Sequence, residues 1–341
     1  MGKHRHFSLA VLRAGTWLAA CCMVVMCGIA LWGTPFPILD AFNILAPVVL
    51  VLNALLLVIW LLLRRRLVAL PIFAVLWALL VFGFPYRPGT TATSPPPDGL
   101  RVLTYNTRSF NPELARYFGF TETALPDFVR EQAADIVCFQ ELTRTTIRDV
   151  KGYAYVVATP RGSPNVSQGI FSVFPIVATD FIEFPNSANG AMYADIAVGR
   201  DTIRVYNVHL ESFRIRPSRR TLQRAGRSLP GRISEVSRKH LDQARMIAEH
   251  QEKSPYPIIV CGDLNATSFT RTYRRVRGGL TDSYKEAGRG TGSTFAIGSL
   301  PFRIDYVLSD PTFRVLGHQT FDVPFSDHLP VMATLGIPKK Q

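Results

Sequence analysis

Residues Pro257–Thr267 read PIIVCGDLNAT. An apolar run, Ile258-Ile259-Val260-Cys261, stops at Gly262 and is followed by an acid and a carboxamide two residues apart, Asp263 and Asn265. A short β-branched, apolar run that ends in Gly reads as a buried strand. Side chains alternate along a strand, so Asp263 and Asn265 face one way and Leu264 the other. Asp and Asn also favour turns. Taken alone, the stretch is consistent with a plain turn and with a site built on a strand end.

The same ending recurs along the chain. Leu103-Thr104-Tyr105-Asn106 closes in Asn106, and Ile136-Val137-Cys138-Phe139-Gln140-Glu141 closes in Glu141. Val205-Tyr206-Asn207-Val208-His209 carries Asn207 and His209, Arg303-Ile304-Asp305-Tyr306-Val307-Leu308 carries Asp305, and Ser326-Asp327-His328-Leu329-Pro330 carries Asp327 and His328. Each has an ordinary structural explanation. As a set, acids and amides with two histidines suit a hard cation such as Mg²⁺. No Cys cluster and no HxxxH spacing points to a zinc site. Acids that bind a metal, a carboxylate that orients and deprotonates water, and imidazole and amide donors are what phosphoester hydrolysis requires.

These stretches resemble the endonuclease/exonuclease/phosphatase superfamily, through about residues 99–341 and in the family's order: Tyr105-Asn106, Gln140-Glu141, GIFSVFPI at 169–176, NVHL at 207–210, GDLN at 262–265, RIDYVL at 303–308 and SDHLPV at 326–331. The resemblance implies a four-layered α/β/β/α sandwich of the α+β class, two packed and mainly antiparallel sheets flanked by helices. It implies Glu141 as main metal ligand, with Asn106 and Asp327 nearby in the coordination sphere. Asp263 would orient or activate the attacking water, and Asn265 would hold a phosphate oxygen. His328 would contact the scissile phosphate, oriented by Asp305, and His209 would bring a second imidazole. The cofactor implied is Mg²⁺, with Mn²⁺ a plausible replacement. The chain departs from the family after GDLN, where Ala266-Thr267-Ser268 stands in place of the usual Asp-Thr-Pro. A Tyr that some members use on the phosphate has no clear match.

The rest of the chain divides by composition. Residues 1–98 hold seven Lys or Arg and two acids, against 31 and 23 in 99–341. Ala14–Trp32, Ala41–Leu63 and Leu67–Phe84 contain no charged residue. A membrane-crossing helix needs roughly 20 apolar residues, with about 17 the lower limit. Three transmembrane helices are therefore expected within residues 1–84, with the membrane contacted through 8–84. A cleaved signal peptide is the alternative, but no small-x-small site follows the first span. The basic N-terminus and Arg64-Arg65-Arg66 flank a first connection, 33–40, that lacks Lys and Arg. The positive-inside rule then places the N-terminus in the cytoplasm and the C-terminal domain outside it, in an inner or plasma membrane protein. Arg87 argues weakly the other way. The Pro-, Gly- and Thr-rich residues 85–99 read as a linker, leaving 100–341 as the catalytic domain.

Strands are expected at Arg101–Asn106, Asp135–Gln140, Tyr153–Ala158, Gly169–Ile176, Met192–Val198, Thr202–Leu210, Tyr256–Val260, Ile304–Leu308 and Val331–Leu335, with helices at Asp127–Ala134 and Glu235–Glu252. Many strands and few helices predict two packed sheets with helices outside. Cys138 and Cys261 read as two buried free thiols, with a pairing open to them if their strands are neighbours. Arg214–Lys239 holds nine basic residues against Glu235, either a solvated loop or an anion-binding surface.

The function expected is a membrane-anchored, divalent-metal-dependent phosphoesterase acting on phosphodiester or phosphomonoester bonds. Its substrate would carry phosphate, as a nucleic acid or a phospholipid head group. A catalytically inactive binding module is the competing class. It predicts loss of one of Glu141, Asp263, Asn265, Asp305 and His328, and all five are present. The spans carry only the edge residues Arg13 and Asp40, which argues against an ion path. No protein partner is implied.

Overall fold

The computed structural model describes residues 2–89, 99–110, 119, 121, 123–143, 147, 150–160, 167–213 and 228–337. Residues 214–227 of the Arg-rich segment and 90–98 of the linker lie outside the described residues. Contacts divide the described chain into two units, one of 1–85 with 225–238 and 267–274, the other of the remainder.

The first unit is built on helices α1 (Gly2–Trp32), α2 (Pro37–Phe42), α3 (Ala46–Leu62) and α4 (Ala69–Phe82). Two stretches are long and apolar enough to cross a membrane, Ser8–Trp32 and Pro37–Leu62, with mean hydropathy 2.0 and 2.8. The third apolar segment, expected as a further span, forms a shorter helix, Arg66–Phe82, below that length. At 1.5 Å per residue it reaches only about 25 Å of a hydrocarbon layer about 30 Å thick. Buried polar side chains tie the helices together. Trp60 Nε1 donates to Thr16 Oγ1 at 2.8 Å, and Asn53 Nδ2 to Ala19 O at 3.1 Å. Residues 267–274 belong to this unit: Phe269 packs its ring 5.1 Å from Phe82, Asn43 Nδ2 donates to Phe269 O at 3.2 Å, and Arg271 N donates to Asp40 Oδ1 at 3.1 Å.

The second unit holds two six-stranded mixed sheets. Strands β1 (Leu100–Asn106), β2 (Ile136–Gln140), β3 (Tyr155–Ala158), β4 (Gly169–Ser172), β13 (Arg314–Thr320) and β14 (Val331–Gly336) form one, in the order β13-β14-β1-β2-β4-β3. Strands β5 (Ile176–Glu183), β6 (Gly190–Val198), β7 (Asp201–His209), β8 (Ile258–Asp263), β9 (Thr281–Asp282) and β12 (Asp305–Ser309) form the other, in the order β5-β6-β7-β8-β12-β9. Each sheet is antiparallel except for one parallel pair near its centre, β1 with β2 and β7 with β8. A hairpin of β10 (Phe295–Ile297) and β11 (Leu300–Phe302) stands apart.

The faces that meet are apolar. Val102, Ile136, Cys138 and Ile170 of the first sheet share a buried cluster with Ala194, Val205, Ile259 and Cys261 of the second. Cys138 and Cys261 are free and buried, as the sequence suggested. On the outer face of the first sheet, α5 (Ala124–Gln132) buries Leu125, Phe128 and Val129 against Tyr105 and Phe139. Helix α6 (Ser228–Gln251) approaches the outer face of the second, where its His250 Nδ1 lies 2.9 Å from Tyr206 Oη of β7. The layers are therefore helix, sheet, sheet, helix, although the sheets are mixed.

Expected strands appear within a few residues of their predicted ends, with one division. The run expected as a single strand over 169–176 breaks after Ser172, and beyond Pro175 a new edge strand, β5, begins at Ile176. β13 gave no clear signal because it is a half-exposed edge strand whose register shifts between Val315 and Gly317. The helix expected at 235–252 starts earlier, at Ser228, and takes up part of the Arg-rich segment.

A polar seam crosses the sandwich just below the strand ends. Asn207 of β7, fully buried, donates through Nδ2 to Phe139 O at 2.8 Å and Gly169 O at 3.0 Å in the other sheet. Its Oδ1 accepts Gln140 Nε2 at 2.7 Å.

Gly262 has a φ of +133° and pairs with Val208 in the β7–β8 ladder. A Cβ there would run into the Val208 carbonyl, so the glycine is required by a close strand approach as well as by its dihedral. Gly262→Ala should therefore destabilise the domain by about 2–4 kcal/mol. Chemical denaturation of the purified chain measures this, and a loss within error of zero would contradict the packing described.

Candidate active site

Strand ends from both sheets assemble the site. In the second sheet, three adjacent strands bring their polar ends into register: His209 of β7 is the partner of Asp263 of β8, and Asp263 is the partner of Asp305 of β12. In the first, Asn106 of β1 is the partner of Gln140 of β2, and Glu141 follows directly. The loop after β1 holds the Glu141 backbone, since Ser109 N donates to Glu141 O at 2.7 Å and Thr107 Oγ1 to the same oxygen at 2.9 Å. Glu141 has a φ of +50° and Asn265 one of +47°. Left-handed non-glycine residues are costly and gather where the surroundings over-determine a side-chain direction.

Asp263 lies at the centre, 1% exposed. Its Oδ2 accepts Asn106 Nδ2 at 3.0 Å and lies 3.6 Å from His209 Nε2 and 3.8 Å from His328 Nε2. Glu141 Oε1 lies 3.3 Å from the same Asn106 nitrogen and 3.8 Å from His209 Nε2. Asp305 receives His328 Nδ1, at 3.0 Å to Oδ2. Burial disfavours charge on His328, but Asp305 and Asp263 outweigh it and raise the imidazole to about 10. Burial is also the main influence on Asp263, whose carboxyl is pushed up to about 6 against the pull of His328.

Asn265 settles one half of the question posed by the GDLN stretch. Its N–H donates to Asp263 Oδ1 at 2.8 Å, the closure of an Asx turn. Its Nδ2 donates to Leu210 O at 3.0 Å and Asp263 Oδ2 at 3.1 Å, so both amide protons are taken. In this geometry Asn265 sets the Asp263 carboxylate, and it reaches a phosphate oxygen only by releasing one of these bonds. Leu264 turns into the core at 1% exposure.

Seven of the eight predicted residues thus form one connected group. Asp327 is engaged elsewhere, with Arg108 Nη1 3.0 Å from its Oδ2, and acts on the group through its charge beside His328. Sequence reasoning missed Arg108, Thr294 and Phe295. Thr294 Oγ1 accepts Asp305 N at 3.2 Å, Thr294 O accepts Leu329 N at 2.7 Å, and the Phe295 ring lies 4.9 Å from the His328 ring. Phe295 is the lone aromatic residue of its stretch, and no local pattern in the sequence ties either residue to His328.

The donor set suits a divalent cation. Among the described residues, neither Glu141 nor Asp263 has a Lys or Arg partner, although their oxygens converge on one amide nitrogen. Carboxylate and carboxamide oxygens are hard donors of the kind Mg²⁺ takes. Asp263, Asp305 and His328 also place one ligand atom each within 4.8 Å of one another, but Asp305 already holds His328 Nδ1.

A family model described as Endonuclease/Exonuclease/phosphatase family matches residues 103–328. The chain belongs to that family. Among solved structures it is similar to an endonuclease/exonuclease/phosphatase from Bacteroides vulgatus, 20% identical with a TM-score of 0.52 over 70% of this chain and 99% of that one. It is similar to a D. rerio TDP2 humanized by 14 mutations, 16% identical with a TM-score of 0.53 over 69% and 98%. It is also similar to mannosyl-6-phosphatase Bt3783 of Bacteroides thetaiotaomicron, 19% identical with a TM-score of 0.51 over 69% and 99%. At these identities the likeness is one of fold. No curated protein matches the chain.

His328 sits above its unfolded value of 6.5, so its charge stabilises the fold fully below about pH 6.5 and that contribution is lost as pH rises through about 10. In EDTA, the Tm of the chain should fall across this window, and His328→Gln should flatten the decline. Parallel pH profiles for the two proteins would refute the assignment.

Proposed function

We propose that the chain is a divalent-metal-dependent phosphoesterase held at a membrane by its N-terminal helices. The observation that carries this is the convergence of Asn106, His209, Asn265 and His328 on the buried Asp263 carboxylate, with Glu141 joined to it through Asn106 and His209. Family members are typically phosphoester hydrolases, and this set of groups provides the parts such a reaction uses.

Asp263 is the general base. A carboxyl raised to about 6 is a better proton acceptor than an ordinary one and is still largely ionised at neutral pH. Asn265 holds that carboxylate in place. His328, kept charged by Asp305, faces the phosphate and stabilises the pentacoordinate anion, and His209 adds a second imidazole donor. Both are set in a nearly dry wall, at 7% and 2% exposure, where such interactions strengthen. Glu141 and Asn106 would hold Mg²⁺ or Mn²⁺, which when bound supplies Lewis-acid stabilisation of charge on the phosphate and leaving oxygens. Asp327 joins that set only by releasing Arg108.

The substrate is a phosphate ester of a nucleic acid or of a phospholipid head group. The +8 balance of residues 99–341 supports the first. The apolar helices support the second and support membrane residence. Basic residues at 3, 5 and 64–66 further support a cytoplasmic N-terminus with the catalytic domain on the opposite side.

With a chromogenic phosphodiester, EDTA should abolish turnover by the full chain and Mg²⁺ or Mn²⁺ should restore it. Glu141→Gln, Asp263→Asn and His328→Ala should each lower kcat by about 10²–10⁴-fold. Full activity in EDTA, or in all three variants, would end the proposal. A nuclease should lose affinity steeply between low and moderate salt. Salt-insensitive cleavage confined to bilayer substrates assigns the lipid reading instead. For topology, protease added to intact spheroplasts should cut within residues 85–99; cleavage only in inverted vesicles reverses the orientation.

A further inference from the structure

A pocket of about 230 Å³ opens between the loop Arg289–Ser293 and two residues of the edge strand β13, His318 and Thr320. The loop reads Gly288-Arg289-Gly290-Thr291-Gly292-Ser293, with φ of +69° at Gly290 and +62° at Gly292. No acid lines the pocket, and Arg289 gives it a cation. Arg289 Nη1 is braced on Gly288 O at 2.8 Å. Thr291 Oγ1 accepts Ser293 N at 3.3 Å and so keeps its own proton for another acceptor.

His318 is the unusual wall. Its Nδ1 lies 2.9 Å from Ser283 Oγ, while its Nε2 is buried without a hydrogen-bond partner. Burial lowers this imidazole to about 4, so it is neutral at physiological pH. In the tautomer in which Ser283 Oγ donates to Nδ1, the ring proton sits on Nε2, a donor with no acceptor. A buried donor left unmade costs about 1–3 kcal/mol, and a bound ion or water is one way such a group is satisfied. Guanidinium, hydroxyl and imidazole N–H are all donors, and their shared complement is a compact, acceptor-rich anion.

The pocket is also joined to the catalytic pair. Ser293 is followed by Thr294, which accepts the Asp305 amide, and by Phe295, whose ring stands against His328. We infer that this pocket binds a phosphoryl group, distinct from the one attacked, so that the favoured substrate carries a second phosphate. This rests on the phosphoesterase reading for its catalytic consequence but not for the binding itself.

Binding is tested on the full chain in detergent, labelled with ¹⁵N-histidine and titrated with inorganic phosphate. The His318 imidazole resonances, assigned by their loss in His318→Gln, should shift and saturate, and Arg289→Ala should weaken that response about tenfold. His328 reports the catalytic centre separately. A shift at His328 with none at His318 overturns the pocket and leaves the phosphoesterase reading intact. The kinetic arm compares thymidine 5′-(4-nitrophenyl) phosphate with and without a 3′-phosphate. Arg289→Ala should raise KM about tenfold for the bisphosphate alone and leave kcat unchanged for both. An equal effect on the two, or none, overturns the inference. The same comparison on inositol phosphodiesters shows which source of second phosphate is accepted.

Discussion

Asn207 reaches from the second sheet into the first and satisfies two backbone carbonyls there, while accepting the side chain of Gln140. Everything at the site depends on this seam. Apolar side chains hold two sheets together but leave them free to slide, because the hydrophobic effect has no direction. Buried hydrogen bonds do have direction, and a lost partner leaves a costly orphan. Glu141 follows Gln140 in the first sheet, and His209 lies two residues beyond Asn207 in the second. Fixing Gln140 against Asn207 therefore fixes a carboxylate of one sheet opposite an imidazole of the other, 3.8 Å apart.

The electrostatics follow from that placement. Asp263 and Asp305 are register partners, each 1% exposed, an arrangement that repels unless something positive enters. His328 supplies one charge, and the oxygen donors around Glu141 and Asp263 suit a metal for more. Left-handed φ at Glu141 and Asn265 adds strain at the same place. The domain offsets these costs with the apolar layer between the sheets and with α5 and α6 outside them. Stability is held in the layers, while strain and buried charge gather at the strand ends.

Much of this was legible from the chain. The strand carrying GDLN was readable because apolar residues end at a glycine, and the family motifs in order pointed to the site residues. Less visible were Thr294 and Phe295, which matter through contacts with residues about ten and thirty positions on in the chain, Asp305 and His328. Strand β13 was hidden because an exposed edge with a bulge lacks clean alternation. The third apolar segment passed a composition test, and its helix, Arg66–Phe82, is shorter than the two candidate spans before it.

Sequence alone pointed to the family through its motifs in order, and it determined that long stretches of the N-terminal helices carry no charge. It left Asp263 and Asn265 undecided between turn and chemistry. The tertiary structure shows the turn, and shows that the Asx turn of Asn265 orients the buried Asp263 carboxylate. It also decided why Gly262 precedes them, which is the approach of the Val208 carbonyl from β7. Such facts escape a linear reading because they arise from strands paired across about fifty residues of chain, where local propensity carries no information.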